Sequence, residues 1–285
     1  MKNASKFFDY ARSRYFIQLR REGGAERPWT DDPILQTYRF CNVFREDDKV
    51  TKWFAANLRE VGNPLLSTVA FRWFNRIEVG EILLDSAIGL QDGRFDSVEA
   101  RQRIKHTLPD GPWVTGAYMI KTPPGLNKLD GVLQCIDNVV EDLPSVYNQI
   151  VRFHSLQNAH NVLMNYPYLG SFMAYEVVTD LRHTKLLRKA ADKMTWANPG
   201  PGAARGLSRV VFGHPNGFHY NKKRDAEALQ EGMQDLLVLA HMDEHWPPGW
   251  PTWEMREVEH TLCEFDKYER VRLGEGTPKQ KFAGV

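Results

Sequence analysis

The sequence predicts an all-α protein with few or no short strands. Apolar residues recur at helical spacing over most of the 285 residues. Residues that favour helix N-caps precede many of these stretches, and glycine or proline often follows them. Strand signals are few, and the best is the segment WVTGAYMI at 113–120, predicted as a short strand or extended segment.

The helices can be placed in order along the chain. The first is capped by Ser5 and stops at Gly23 and Gly24. The second covers WTDDPILQTYRFCNVFRE, with Thr30 or Asp31 as its cap and Pro33 in its first turn. A third follows at 48–61, and Asn63 caps a fourth, LLSTVAFRWFNRIEVGEIL, which is apolar nearly all round and is expected to be buried. Further helices are predicted at 96–107, 130–142, 144–164, 171–187, 203–212, 223–243 and 252–270.

Composition limits the class of protein. Residues 1–285 are expected to form a single helical domain, with room for two lobes and an active cleft between them. The net charge is +1, so any nucleic-acid surface must be local. Three distant cysteines show neither metal spacing nor a disulfide framework, which fits a reducing cytoplasm. No apolar run is long enough to predict a membrane span.

The segment LMNYPYLGSFMAYEVVTDLRH, residues 163–183, predicts two helices joined by a tight turn. It resembles the helix-hairpin-helix element of the DNA-repair glycosylases. That element would let Tyr168, Gly170 and Ser171 contact DNA, because backbone N–H groups at a helix start point at a phosphate. The alternative is an ordinary corner between two helices.

The loop WANPGPGAARGLSRV, residues 196–210, has no carboxylate, although the matching loop of glycosylases supplies an Asp. Hydrolysis of a glycosidic bond is therefore disfavoured. The loop suits an anion instead, because Gly amides and Arg donors bind phosphate. The candidate residues are Trp196, Asn198, Gly200, Gly202 and Arg205. The alternative is a Gly/Pro loop that only begins a helix.

Two further segments carry candidate residues. On the second predicted helix, Arg39, Asn42 and Arg45 beside Tyr38 would line a pocket for an extruded base and its phosphorylated substituent, unless they form a solvated face. The segment MREVEHTLCEFDKYERVRLGEGTPK, residues 255–279, predicts a helix whose carboxylates lie at an apolar boundary. Partial burial would raise their pKa values toward a general-base range. The alternative is a surface salt-bridge network. The candidates here are Glu259, His260, Glu264, Asp266, Lys267 and Lys279.

Taken together, these stretches, with TGAYMIKTPPG, resemble the α-glutamyl/putrescinyl-thymine pyrophosphorylase family of bacterial viruses, also described as the helical domain associated with 5-hydroxymethyl-deoxyuridine DNA kinase. The resemblance covers roughly residues 5–282. It implies a helix-hairpin-helix, glycosylase-like fold put to another reaction. In that reaction an amine, either an amino acid or putrescine, displaces pyrophosphate from the 5-methylene carbon of a modified uracil in DNA.

The chemistry of this reaction suggests a role for each candidate. Pyrophosphate needs cations and aligned N–H donors, for which Arg39, Arg45, Arg205, Lys267, Lys279 and the 200–202 amides are suited. The amine must lose a proton, which Asp180, Glu259, His260, Glu264 or Asp266 could accept. Tyr38 and Trp196 are the expected stacking partners for the base.

The expected partners and cofactors follow from the same resemblance. The resemblance implies modified DNA, a small amine, a functional link to the kinase, and the cytoplasm of an infected bacterium. Mg²⁺ is compatible with the chemistry, but no metal motif is evident. The chain lacks Gly-x-x-x-x-Gly-Lys-Ser/Thr, which argues against kinase activity of its own. The rival hypotheses are a glycosylase for a modified pyrimidine and a noncatalytic DNA-binding subunit.

Overall fold

The computed structural model describes residues 1–282, and within them it is all-α, as predicted. An isolated antiparallel bridge joins Tyr38 and Lys281. Thirteen α-helices occupy the described chain: α1 Ala4–Glu22, α2 Pro33–Thr37, α3 Lys49–Asn57, α4 Pro64–Phe74, α5 Ile77–Leu83, α6 Ser97–Thr107, α7 Lys128–Glu141, α8 Leu143–Phe153, α9 Leu156–Leu163, α10 Ser171–Leu181, α11 Pro201–Phe212, α12 Ala226–Ala240 and α13 Met255–Arg272.

Two of the predicted helices are each divided by one residue with a left-handed backbone. Asn75 has φ 49° and separates α4 from α5, and His154 has φ 45° and separates α8 from α9. A left-handed residue cannot continue a right-handed helix, so the chain turns there. The cap predicted at Asn63 is confirmed, since its side chain accepts hydrogen bonds from the first amides of α4.

The prediction of a long second helix is wrong. Asp32 caps α2, which ends at Thr37 after five residues. The following residues find tertiary hydrogen-bond partners instead: the carbonyl of Phe40 accepts from Arg14, and the amide of Cys41 donates to Glu264. Because these backbone groups are satisfied outside a helix, the segment has no need to form one.

The strand signal at 113–120 also gives no ladder among the described residues. The amide of Thr115 donates to the carbonyl of Phe74 at 2.8 Å, which is a single connection to α4. The segment has a suitable composition for a strand but no partner strand, and a lone strand cannot satisfy its backbone groups.

The chain forms two compact units. The first contains residues 1–48 and the chain from Lys193 onward, and the second contains Lys49–Asp192. Helices α1, α2 and α11–α13 lie in the first unit, and α3–α10 in the second. Each unit has its own buried core. No helix in the described chain is both long enough and apolar enough to cross a membrane.

The first unit is held together by the packing of α1 and α11 on α13. The rings of Phe7 and Phe265 lie 5.7 Å apart edge to face, and Trp253 is fully buried beside them. Helix α11 approaches α13 through glycine: a Cβ at Gly206 would lie 2.1 Å from the carbonyl oxygen of Leu262. The two backbones can come this close because that position carries no side chain.

The second unit is built around α4. Every residue of α4 is buried, as its sequence predicts, and the helix packs against α10, α7 and α5. Phe54 of α3 stacks on Phe71 of α4 with ring centroids 4.6 Å apart.

Candidate functional site

Helix α13 supplies most of the candidate site, which lies in the first unit. It starts with a capping box, in which Glu254 and Glu257 each accept a hydrogen bond from the other's backbone amide. The sequence predicts that its carboxylates are partly buried, and this is confirmed. Five of them are less than 9% exposed: Glu257, Glu259, Glu264, Asp266 and Glu269.

His260 lies on α13 in a positively charged environment. Its half-buried ring forms a hydrogen bond with the backbone of Asn42. Burial, followed by the charges of Arg256, Arg45 and Lys267, lowers the pKa of His260 well below 6.5. The imidazole is therefore neutral at pH 7 and able to accept a proton.

The two glutamates beside His260 are already partnered. Glu259 accepts from Arg256 at 3.0 Å. Glu264 accepts from Lys267 at 2.5 Å and from the amide of Cys41 at 2.8 Å. Both carboxylates are therefore engaged by cations, and His260 is the neutral proton acceptor beside them.

Arg14 of α1 joins the segment at 40–42 to this cluster. Its guanidinium is 6% exposed and donates to the carbonyl of Phe40 at 3.2 Å and to the side chain of Asn42. Burial lowers its pKa. Sequence reasoning did not include Arg14 or Arg256 among the candidates. The signal for Arg14 is its place on the apolar face of α1, three and four residues from buried Ala11 and Tyr10.

We call this group the α13 cluster: Arg14, Asn42, Arg45, Arg256, Glu259, His260, Glu264 and Lys267. It contains four cations and two carboxylates, which leaves two positive charges in excess while His260 is neutral. Six of its eight residues are sequence-predicted candidates. The cluster combines excess positive charge with a neutral proton acceptor, and four of its eight side chains are buried: Arg14, Arg256, Glu259 and Glu264. That combination can hold a multiply charged anion and accept a proton beside it.

Asp266 has a different environment on the same helix. It is fully buried and accepts from Arg205 at 2.8 Å and Arg209 at 2.9 Å, with Arg270 at 3.4 Å. Arg209 also donates to Glu275 at 2.5 Å. The two predicted residues of this network, Arg205 and Asp266, are thus bonded to each other. Through these bonds Asp266 holds α11 on α13.

The start of α11 contains the predicted glycine loop. Gly200 is the N-cap residue, and a Cβ there would meet nothing within 4 Å. Gly202 lies inside α11, not in the loop, and a Cβ there would lie 2.4 Å from Sγ of Cys263. Gly202 is therefore a packing position against α13. Trp196 and Asn198 are half-buried in the segment before the helix.

Three other candidates, Tyr38, Arg39 and Lys279, lie where the segment at 38–39 pairs with the end of the described chain. Tyr38 forms the bridge with Lys281, and the amide of Arg39 donates to the carbonyl of Gln280 at 3.1 Å. Lys279 is exposed on the same returning segment. These residues therefore lie together where the segment at 38–39 pairs with the returning chain.

Asp180 lies in the second unit, on α10, and is fully buried. It accepts two hydrogen bonds from Arg72 of α4, and a nitrogen of Arg59 lies 3.9 Å away. Arg72 also donates to Asn75 at 2.5 Å and to Thr51 at 3.2 Å. This bidentate pair joins α4 to α10 within a low-dielectric core.

The predicted hairpin joins α9 to α10 in the second unit. Tyr168 occupies a left-handed conformation with φ 64°, which is uncommon for a residue other than glycine. Gly170 is the N-cap residue of α10, and the carbonyl of Ser171 lies 2.9 Å from Nε2 of His160. Tyr168 and Phe172 are 38% and 52% exposed, so the turn presents two aromatic rings to solvent.

A cavity of about 250 Å³ lies elsewhere in the first unit, beside α1, α2 and the end of α13. Its lining contains none of the predicted site residues and consists of Lys6, Asp9, Tyr10, Ser13, Asp32, Leu35, Tyr268, Glu269 and Arg272. Among residues 1–282, no group of three or more His, Cys, Asp or Glu side chains is arranged to hold a metal ion, so no particular place for Mg²⁺ can be named.

The fold and the α13 cluster define an all-α protein with a cationic, base-bearing site. The family model for the helical domain of 5-hydroxymethyl-deoxyuridine (5-hmdU) DNA kinase matches residues 2–277. The chain therefore belongs to this family.

A 5-hmdU DNA kinase of Bacillus phage SP10 is 26% identical over 270 residues, which cover 86% of this chain. The same match covers 41% of the phage protein, so this chain spans about two fifths of that relative's length. No solved structure gives a significant match.

Proposed function

We propose that this chain is a DNA-modifying transferase of a bacterial virus. It replaces the pyrophosphate of 5-pyrophosphoryloxymethyl-deoxyuridine in DNA with an amine and so forms a hypermodified thymine. The observation that carries the proposal is the neutral imidazole of His260 beside Arg45, Arg256 and Lys267. Membership of a family named for a 5-hmdU DNA kinase supports modified thymine as the substrate class. We expect the reaction to take place in the cytoplasm of the infected host.

The reaction balances without an oxidant or reductant. The amine nitrogen attacks the 5-methylene carbon, a C–N bond forms, and the C–O bond to pyrophosphate breaks. The leaving pyrophosphate keeps the bonding electron pair, and the new ammonium loses one proton. Negative charge increases on the leaving group as the bond breaks, so nearby cations lower the barrier.

The α13 cluster fits both needs. Arg45, Arg256 and Lys267 are the groups suited to hold the pyrophosphate. Burial first, and then the same three cations, lower the pKa of His260; an arriving polyanion offsets the field of the cations and so raises that pKa. In this mechanism, substrate binding itself makes His260 a stronger base, at the moment when the amine must lose its proton.

The base must leave the DNA stack before it can react, which costs a few kcal/mol. Tyr168 in the α9–α10 turn and Phe172 at the start of α10 are exposed aromatic residues suited to contact DNA bases. The amides at the start of α10, near Gly170 and Ser171, are suited to a backbone phosphate. We thus assign DNA contacts of the second unit to this hairpin.

The test is incubation of the protein with DNA that contains 5-pyrophosphoryloxymethyl-deoxyuridine and a panel of amines, including putrescine, glycine and glutamate. We expect pyrophosphate release and a nucleoside whose mass is that of the substrate nucleoside plus one amine minus one pyrophosphoric acid. His260→Gln should lower the rate by roughly 10²–10⁴-fold, the usual contribution of a general base. His219→Gln, a change of another histidine at an exposed position, is the matched control and should leave the rate unchanged.

A second candidate function follows from the length of the relative. The match covers 41% of the phage kinase, which leaves room for a separate catalytic part in that protein. On this hypothesis the helical chain binds DNA and presents the base to another enzyme. Binding of modified DNA with neither pyrophosphate release nor a mass change across the amine panel would select this function and exclude the transferase. Formation of abasic sites would instead indicate a glycosylase.

A further inference from the structure

A second positively charged surface lies at the end of the described chain, within the first unit. The segment 37–39 pairs with the returning chain, since Tyr38 bridges Lys281 and the amide of Phe282 donates to the carbonyl of Thr37 at 3.0 Å. This pairing gathers cations from two distant parts of the sequence. We call the surface the tail patch; its rings are Trp29, Tyr38 and Phe282, and its six exposed cations are Arg20, Arg21, Arg27, Arg39, Lys279 and Lys281.

The cations of the tail patch are held against aromatic rings. The guanidinium carbon of Arg27 lies 4.7 Å from the ring centre of Trp29 and 4.8 Å from that of Phe282. Arg39 lies 5.7 Å from Phe282, and Lys281 lies 5.5 Å from Tyr38. A guanidinium fixed over a ring keeps its N–H edge available to an acceptor, and less side-chain entropy is lost when it binds one.

The same cations lack acidic partners. Among residues 1–282, none of the six has a carboxylate oxygen within 4.0 Å. Exposed arginines elsewhere do have one: Arg94 pairs with Asp92 at 3.0 Å and Arg224 with Asp225 at 3.2 Å.

The acidic residues near the tail patch do not balance its charge. Asp32 is engaged by the first amides of α2 and by Tyr268, and Glu22 accepts from Gln18. Glu26 and Asp31 are the other acids of the segment between α1 and α2. Six cations against these acids leave a local excess of positive charge on a chain whose net charge is +1. This excess is available to an external anion.

We propose that the tail patch binds the phosphodiester backbone of DNA next to the target base. Forked guanidinium donors match phosphate oxygens, and half-buried rings between them offer faces to an unpaired base. An acidic peptide would use the charge but not the rings. The inference rests on the proposed function in one respect, that DNA is the substrate. It gives Tyr38, Arg39 and Lys279 a role in binding the DNA strand, away from the departing pyrophosphate.

The test is fluorescence anisotropy of unmodified, labelled single-stranded and duplex oligonucleotides over a range of salt concentrations. The double variant Arg27→Gln, Arg39→Gln should weaken binding at least about tenfold at about 0.1 M salt, and the slope of log K against log salt should fall by about 1.4–1.8. Trp29→Ala should weaken single-stranded DNA more than duplex DNA, because bases stack on rings when they are unpaired.

The matched control is the double variant Arg94→Gln, Arg224→Gln. It removes the same two charges from side chains that are 77% and 78% exposed and ion-paired. It should bind DNA as the parent does. The inference is overturned if the tail-patch variant keeps the parent's affinity and salt slope, or if poly-glutamate of equal charge competes as well as DNA does.

Binding and turnover separate the two proposals. Because the oligonucleotides are unmodified, the binding assay needs no chemistry. If the tail-patch variant loses DNA binding while the parent releases no pyrophosphate from modified DNA, DNA binding by the tail patch is supported and the transferase activity is excluded. If the parent releases pyrophosphate, and the tail-patch variant does so at the same rate and binds DNA equally well, the transferase activity is supported and DNA binding by the tail patch is excluded.

Discussion

Asp266→Asn should reveal whether Asp266 is a structural or a catalytic residue. The change keeps the size of the side chain and removes its charge. Arg205, Arg209 and Arg270 would then face one another without the carboxylate that they share. Arg209 is 4% exposed, so its charge would be left in a poorly solvated place. Breaking a buried ion pair in this way costs about 3–5 kcal/mol.

The assay is urea and thermal unfolding followed by tryptophan fluorescence. At roughly 2–4 °C per kcal/mol, a loss of about 3–5 kcal/mol lowers Tm by about 6–20 °C. Glu275→Gln is the control in the same network, because Glu275 is 42% exposed and Arg209 keeps its bond to Asp266 in this variant. No buried charge is left without a partner, so this variant should lose far less stability than Asp266→Asn.

The opposite pattern would refute the reasoning. If Asp266→Asn unfolds like the parent but loses pyrophosphate release, the network is not what holds α11 on α13. Asp266 would then take part in the reaction, as one interpretation of the sequence holds. Activity and stability must therefore be measured on the same preparation of each variant.

Further predictions concern packing and pH. Gly206→Ala should destabilise the protein by about 1–3 kcal/mol in urea unfolding, because its Cβ would meet the backbone of Leu262. The control, Gly200→Ala, should change stability by well under that amount, because its Cβ meets nothing within 4 Å. Equal stabilities would contradict the close approach. Burial lowers the pKa of both His160 and His260 below 6.5. As the pH falls below about 6.5, the unfolded state therefore binds protons that the native state does not. Each histidine then lowers the free energy of unfolding by up to about 1.4 kcal/mol per pH unit. The parent should therefore lose more stability than His260→Gln between pH values of about 7 and 5 in urea titrations; identical losses would contradict the depressed pKa.

Much of the helical framework follows from the sequence because it depends on local signals. Asn63 followed by Pro64 predicts the start of α4, and the Gly23-Gly24 pair predicts the end of α1. The apolar stripe of α13 also predicts that its carboxylates lie at the edge of the core, which burial confirms.

Sequence-based predictions fail where tertiary contacts override the local conformational preference of a segment. The segment after α2 has helical spacing but is extended, because the side chains of Arg14 and Glu264 satisfy its backbone groups. Gly202 looks like part of an anion-binding loop, yet it lies against Cys263, because packing against a second helix cannot be recognised within one segment.

Residue types and local spacing thus determined the helices of this protein, many of their ends and the chemical groups available to it. Only the tertiary structure decided which of those groups meet. It placed Arg45 beside His260, bonded Asp266 to the arginines of α11, and brought Lys281 beside Tyr38. Charge and hydrogen bonding act over a few ångströms in space, whatever the separation along the chain, so partners on different segments leave no periodic signal in the sequence.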